Sequence, residues 1–110
     1  WNSEFCKEMQ PQEGDVIVSG KRGLDAFPGS NLEALLKKHG IETVAVCGFL
    51  TNCCVESTMR TAYEKGFNVI TLTDVCACGS SEGQKAAAGE NGTFSMFSSQ
   101  MTAEEFTKSF

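Results

Sequence analysis

Thr43-Val44-Ala45-Val46-Cys47-Gly48-Phe49-Leu50-Thr51-Asn52-Cys53-Cys54-Val55 is the stretch on which the fold turns. Residues Thr43 to Cys47 are continuously apolar and β-prone, which suits a strand buried on both faces of a parallel sheet. Gly48 permits a tight turn. Thr51 or Asn52 can then cap a helix through a side-chain oxygen. The helix is predicted from about Cys54 to Lys65, with Val55, Met59, Ala62 and Tyr63 at 3.6-residue spacing. Strand, turn and helix in that order put Cys54 in a first helical turn. Unpaired N–H groups and the positive end of the helix dipole favour a thiolate there, and the same N–H groups can hold an oxyanion. Lys21 is the candidate cation beside it. A small cysteine packed at a helix start is the plainer alternative.

The pattern continues on both sides of this unit. Upstream, Asp15-Val16-Ile17-Val18-Ser19 reads as a strand and Lys21 to Gly29 as a loop. Ser30-Asn31-Leu32-Glu33 reads as a capping box with Ser30 as the N-cap, and Gly40 as the end of that helix. Downstream, Gly66 closes the Cys54 helix and Asn68 to Thr73 is a second buried strand. Ser80 to Gly89 reads as an Ala-rich helix, Thr93 to Ser98 as a last strand, and Thr102-Ala103-Glu104-Glu105 as a second capping box. Strands alternating with helices predict an α/β domain of three layers, αβα and Rossmann-like, around a mostly parallel sheet. In such sheets the site lies beyond the carboxyl ends of the strands. Lys21, Cys54, Asp74 and Cys76 all fall at that edge.

At 110 residues, one domain spanning 1–110 is expected, and 41% apolar with 21% charged residues is ordinary for a globular chain. A formal net charge of −5 argues against a nucleic-acid surface and against docking on anionic membranes. No apolar run approaches the roughly 18 residues that span a bilayer. The start, Trp1-Asn2-Ser3-Glu4-Phe5, has neither the pattern of a signal peptide nor an initiator Met, so the chain reads as beginning inside a longer one. Cysteines at 6, 47, 53, 54, 76 and 78 include an adjacent pair and one within a strand, which suits reduced thiols in a cytoplasmic protein better than a disulfide framework.

The chain resembles the isochorismatase-like cysteine hydrolases. The likeness rests on Gly14-Asp15, Lys21, Ala26-Phe27 and the helix that follows. It continues through Gly48-x-x-Thr51-Asn52-x-Cys54-Val55, Thr58 to Ala62, Gly66, Asp74-Val75-Cys76-Ala77, Thr93-Phe94 and Thr102 to Phe106. The resemblance implies a nucleophile at Cys54, a catalytic Lys at Lys21, and a cis peptide between Phe49 and Leu50. The N–H groups of Leu50 and Cys54 would form an oxyanion hole, and Phe27, Phe49 and Asn52 would line a small-molecule pocket. It further implies an amide-type C–N hydrolase, nearest the ureidoacrylate amidohydrolase branch, and a homo-oligomer. The family's third catalytic residue, an Asp at the end of its first strand, has no match here. The sheet is therefore expected to be incomplete on its N-terminal side, with an unpaired edge.

Other residues keep plainer readings. Cys76 and Cys78 form C-x-C without a second pair, so no zinc site is expected, and no cofactor is implied. Metal ligands in nicotinamidase relatives belong to the part that precedes this match. His39 suits a helix C-terminus, Asp74 a turn or helix cap, and Cys53 a helix start. Phe27 and Phe49 are equally readable as core aromatics. Three alternatives to an amidohydrolase stay open: a non-catalytic interaction module, a vinyl-ether hydrolase, and a redox protein using Cys53 and Cys54.

Overall fold

The computed structural model describes residues 4–109. Three parallel strands, β1 (Thr43–Phe49), β2 (Asn68–Ala77) and β3 (Ser99–Met101), form one sheet in the order β1-β2-β3. Each crossover carries helix: α2 (Glu56–Glu64) joins β1 to β2, α3 (Ser81–Ala88) and a 3-10 turn at Thr93–Met96 join β2 to β3. Helices α1 (Leu32–Lys38) and α4 (Ala103–Lys108) precede and follow the sheet. This is the α/β architecture that the alternation predicts, with helices on both sides of a sheet that does not close.

The core sits where α2 crosses the sheet. Met59, Ala62 and Val55 from the helical segment meet Val69 of β2, Ala87 of α3, Phe94 of the 3-10 turn and Phe27 of the loop before α1. Phe94, Met59 and Ala62 are 0% exposed. The expected helix ends are present. In both α1 and α2 the glycine N–H bonds three residues back and the next N–H five residues back: Gly40 to Lys37 O and Ile41 to Leu36 O, Gly66 to Tyr63 O and Phe67 to Ala62 O. These are Schellman motifs. At α4, Thr102 accepts from the Glu105 N–H and the Glu105 carboxylate accepts from the Thr102 N–H, completing the expected box.

Five sequence expectations are corrected. Asp15 to Ser19 is extended but joins no sheet; Val16 and Ile17 are 54% and 61% exposed. The residues have strand propensity, but no neighbouring strand among the described residues supplies a ladder. Strand β1 is buried on one face only, with Val44 and Val46 half-buried and Ala45, Cys47 and Phe49 exposed, because it lies at the sheet edge. Thr93 to Ser98 is not a strand. Ser95 and Ser98 bond their hydroxyls to the carbonyls of Gly92 and Phe94, and these local bonds favour a tight turn over a ladder; the strand begins at Ser99. Asn31, not Ser30, is the N-cap of α1. The Ser30 hydroxyl still accepts the Leu32 N–H at 3.2 Å, as a capping side chain does, while reaching back to the Ala26 and Phe27 carbonyls, but Glu33 pairs with Lys37 and Lys65 instead of closing a box. Neither Thr51 nor Asn52 caps the helix at Cys54.

Candidate active site

Residues Thr51–Val55 form one π turn that runs into α2. The Leu50 carbonyl anchors it, accepting the Cys53 N–H at 3.1 Å and the Val55 N–H at 3.2 Å. The wider turn places Cys54 on the side of β1 rather than in the regular helix. Gly48 immediately upstream has φ +120°, a conformation that L side chains rarely adopt. A Cβ there would meet nothing within 4 Å, so backbone conformation rather than crowding demands glycine. The Phe49–Leu50 peptide is cis, as the resemblance implies.

Thr51 is 0% exposed, and its hydroxyl donates to the Gln84 side-chain oxygen of α3 at 2.6 Å. The Gln84 amide in turn reaches the Thr73 and Cys76 carbonyls of β2 at 3.4 and 3.5 Å. The turn is therefore tied to a helix on its far side. This tie replaces the cap expected of Thr51, and its partner is a residue 33 positions away that no local pattern indicates.

Along the open edge of β1 runs a cleft of 450 Å³. Lys21 and Ala26 line it from the loop, Ala45 to Phe49 from β1, and Cys54, Val55 and Thr58 from the turn and α2. Lys21 and Cys54 thus face one cavity although they come from separate segments. The Lys21 ammonium donates to the Gly23 carbonyl of its own loop at 2.5 Å. Phe49 is 78% exposed at the cleft rim. Phe27 is not part of the lining; it is 6% exposed and stacks on Phe67 at 6.3 Å between centroids, which is the core reading. Asn52 is exposed and lies toward Gly83 and Cys78, away from the residues that line the cleft. Among the described residues, the lining contains no carboxylate.

The other singled-out groups fall elsewhere. The Asp74 carboxylate accepts the Ala103 N–H at 2.8 Å and so caps α4. Cys76 donates to the Leu72 carbonyl at 3.3 Å, and burial pushes its thiol above the ordinary range, opposed by a bond from the Gly48 backbone. Cys78 donates to the Ser80 carbonyl at 3.1 Å. His39 occupies the C-cap of α1. No group of three His, Cys, Asp or Glu side chains among the described residues is placed to hold a metal, and no described helix is long and apolar enough to cross a membrane. Sequence reasoning missed Ala45 and Cys47 as lining residues, which strand alternation from Phe49 would have found. It also missed the threonines of α2 as contacts of the Lys21 loop, whose signal is their i, i+3 spacing at Thr58 and Thr61.

A family profile described as "Isochorismatase domain" matches residues 1–105. The ureidoacrylate amidohydrolase RutB of Variovorax paradoxus (strain S110) is 35% identical over 111 residues, covering 100% of this chain and 43% of that protein. An isochorismatase-like hydrolase from Alkaliphilus metalliredigens superposes with a TM-score of 0.89 at 37% identity, over 99% of this chain and 59% of that one. A cysteine hydrolase from Pseudomonas syringae pv. phaseolicola 1448A does so with a TM-score of 0.87 at 26% identity, over 96% and 53%. The chain spans about half the length of the relatives it matches.

Proposed function

Because this chain belongs to the isochorismatase family, we propose that it carries the nucleophile of a hydrolase that cleaves an amide-type C–N bond in a small molecule. The observation that carries the reading is the convergence of Lys21 and Cys54 on one cleft beside Gly48. In this reading the Cys54 thiolate attacks the carbonyl carbon, and the Lys21 ammonium stabilises the thiolate. The Leu50 and Cys54 N–H groups hold the oxyanion of the tetrahedral intermediate. Collapse expels the amine, which takes the proton lost by the thiol, and leaves a thioester on Cys54. Water then releases the carboxylic acid and regenerates the thiol. Phe49 borders the substrate, and Phe27 acts from the core by supporting the loop.

The proton carrier is the Asp that the family resemblance implies. No residue of 1–110 matches it, so the reading assigns it to a segment outside this sequence. The similarity to a ureidoacrylate amidohydrolase supports small linear ureides and amides as substrates. A homo-oligomer in the cytoplasm remains part of the proposal.

That the cleft lining holds no carboxylate among the described residues favours a second reading, a binding module that holds a small carbonyl compound without turning it over. Amine release from a panel of linear ureides and amides separates the two when measured on the whole gene product. Turnover that falls at least 1,000-fold in Cys54→Ala, roughly 4 kcal/mol of barrier, supports the hydrolase. Turnover that survives the substitution rejects Cys54 as nucleophile, and binding without turnover in the unsubstituted protein supports the module.

A further inference from the structure

The loop that carries Lys21 and the helix that follows Cys54 are joined by a small polar latch. The Ala26 N–H donates to the Thr58 hydroxyl of α2 at 3.0 Å. One carboxylate oxygen of Asp25 accepts the Phe27 N–H at 2.9 Å, and the other accepts the hydroxyl of Thr61, one helical turn beyond Thr58. All of these groups are half-buried or buried. Two residues before Asp25, the Gly23 carbonyl holds the Lys21 ammonium. Lys21 itself is exposed and forms no salt bridge with any described residue, so its position depends on the loop that bears it. A lysine has four rotatable carbons and loses considerable freedom when fixed. A loop clamped to α2 reduces what must be ordered each time the ammonium faces Cys54.

We propose that Asp25 is a positioning residue for this site: bonded to Thr61 of α2, it sets the Lys21 loop so that the ammonium faces the Cys54 thiol. The inference rests on the pairing of Lys21 with Cys54 in the function proposed above, but not on turnover. Asp25 acts through the loop and touches no substrate. The carboxylate suits the task because it accepts from the helix and from its own loop at once, which an alanine cannot do.

Charge-selective alkylation of Cys54 reads the arrangement directly. Iodoacetate is an anion and iodoacetamide is neutral, so a cation held at the thiol raises the ratio of their rates, by about fivefold for a unit charge near 4 Å in water. Peptide-resolved mass spectrometry isolates Cys54 from the other cysteines. Lys21→Ala sets the floor of the ratio. Asp25→Ala is expected to fall most of the way to that floor, and Asp25→Asn to recover it in part. Thr61→Val removes the same bond from the helix side and is expected to match Asp25→Ala, with Thr61→Ser restoring the ratio. A ratio unchanged by both Asp25→Ala and Thr61→Val, while Lys21→Ala lowers it, overturns the latch and leaves the Lys21–Cys54 pairing standing. A ratio that Lys21→Ala does not move overturns the pairing, and the latch with it. Loss of folding is recognised separately, because both rates then match those of the same variant in denaturant.

Discussion

Two apolar regions of this chain meet opposite fates. Around α2, Met59, Ala62 and Phe94 are completely buried and Val69 nearly so. Between Phe5 and Ile17, side chains of the same chemistry, Phe5, Met9, Val16 and Ile17, remain at least half exposed. Phe, Met and Val occur in both stretches. What differs is the supply of partners: α2 lies across a paired sheet, whereas the early segment pairs with no strand among the described residues. Propensity decides what a segment can become, and burial decides whether it does.

Substitution in the two regions should break the symmetry of their composition. Phe94→Ala removes a fully buried aromatic and is expected to cost about 3–5 kcal/mol, with Met59→Ala at about 2–5 kcal/mol. Ile17→Ala should stay within about 0.5 kcal/mol, as exposed sites do; urea unfolding of the three variants measures this. An Ile17→Ala cost comparable to that of Phe94→Ala would mean that the early segment is buried in solution, and the contrast would fail. Between these extremes, Thr51→Val leaves the Gln84 oxygen without its donor and is expected to cost about 1–3 kcal/mol. Thr102→Ala, which removes the cap of the short α4, should cost about 1 kcal/mol.

The smallest effect concerns charge. Lys65 holds the Glu33 carboxyl below its ordinary value by hydrogen bonding, with Lys37 adding to it. A lowered folded-state value contributes stability that is present above the unfolded value, near 4.5, and is lost as pH falls through the lower folded value. Glu33→Gln should therefore differ from the parent at pH 7 and converge with it as pH falls below about 4.5. Both partners are solvent-accessible, so a melting-temperature difference of a few degrees at most is expected.

Much of this arrangement was legible in advance because its causes are local. Continuous β-branched runs marked β1 and β2, glycines marked the ends of α1 and α2, and Thr102 with Glu105 marked the start of α4. Asp74 was readable as a turn or capping group, although the helix it caps begins 29 residues further on, at Ala103. Cys54 and Lys21 were candidates from the strand–turn–helix pattern, their catalytic roles are what the family resemblance implies, and both line one cleft. The remainder depends on distant contacts. Nothing near Thr51 announces Gln84, nothing near Asp25 announces Thr61, and nothing in Val16-Ile17-Val18 announces the lack of a ladder. The 3-10 turn at Phe94 was misread for a different reason: serine hydroxyls competed locally with the sheet for the same backbone carbonyls.

The ladder between β1 and β2 pairs Val46 with Thr71 and then Gly48 with Cys76, so β1 advances two residues while β2 advances five. The β3 ladder ends at Leu72. Residues 73–75 consequently have no register partner on either side, and a one-residue slip there inverts no neighbouring side chains, as it would in a paired stretch. This is slack built into an otherwise stiff sheet, a place where a chain can be lengthened or trimmed by evolution or by an engineer. Because Asp74 within it holds the first turn of α4 and the Thr73 carbonyl receives the Gln84 amide that ties down the Thr51 turn, such an edit would be felt at once by the carboxyl-terminal helix and by the turn beside the cleft.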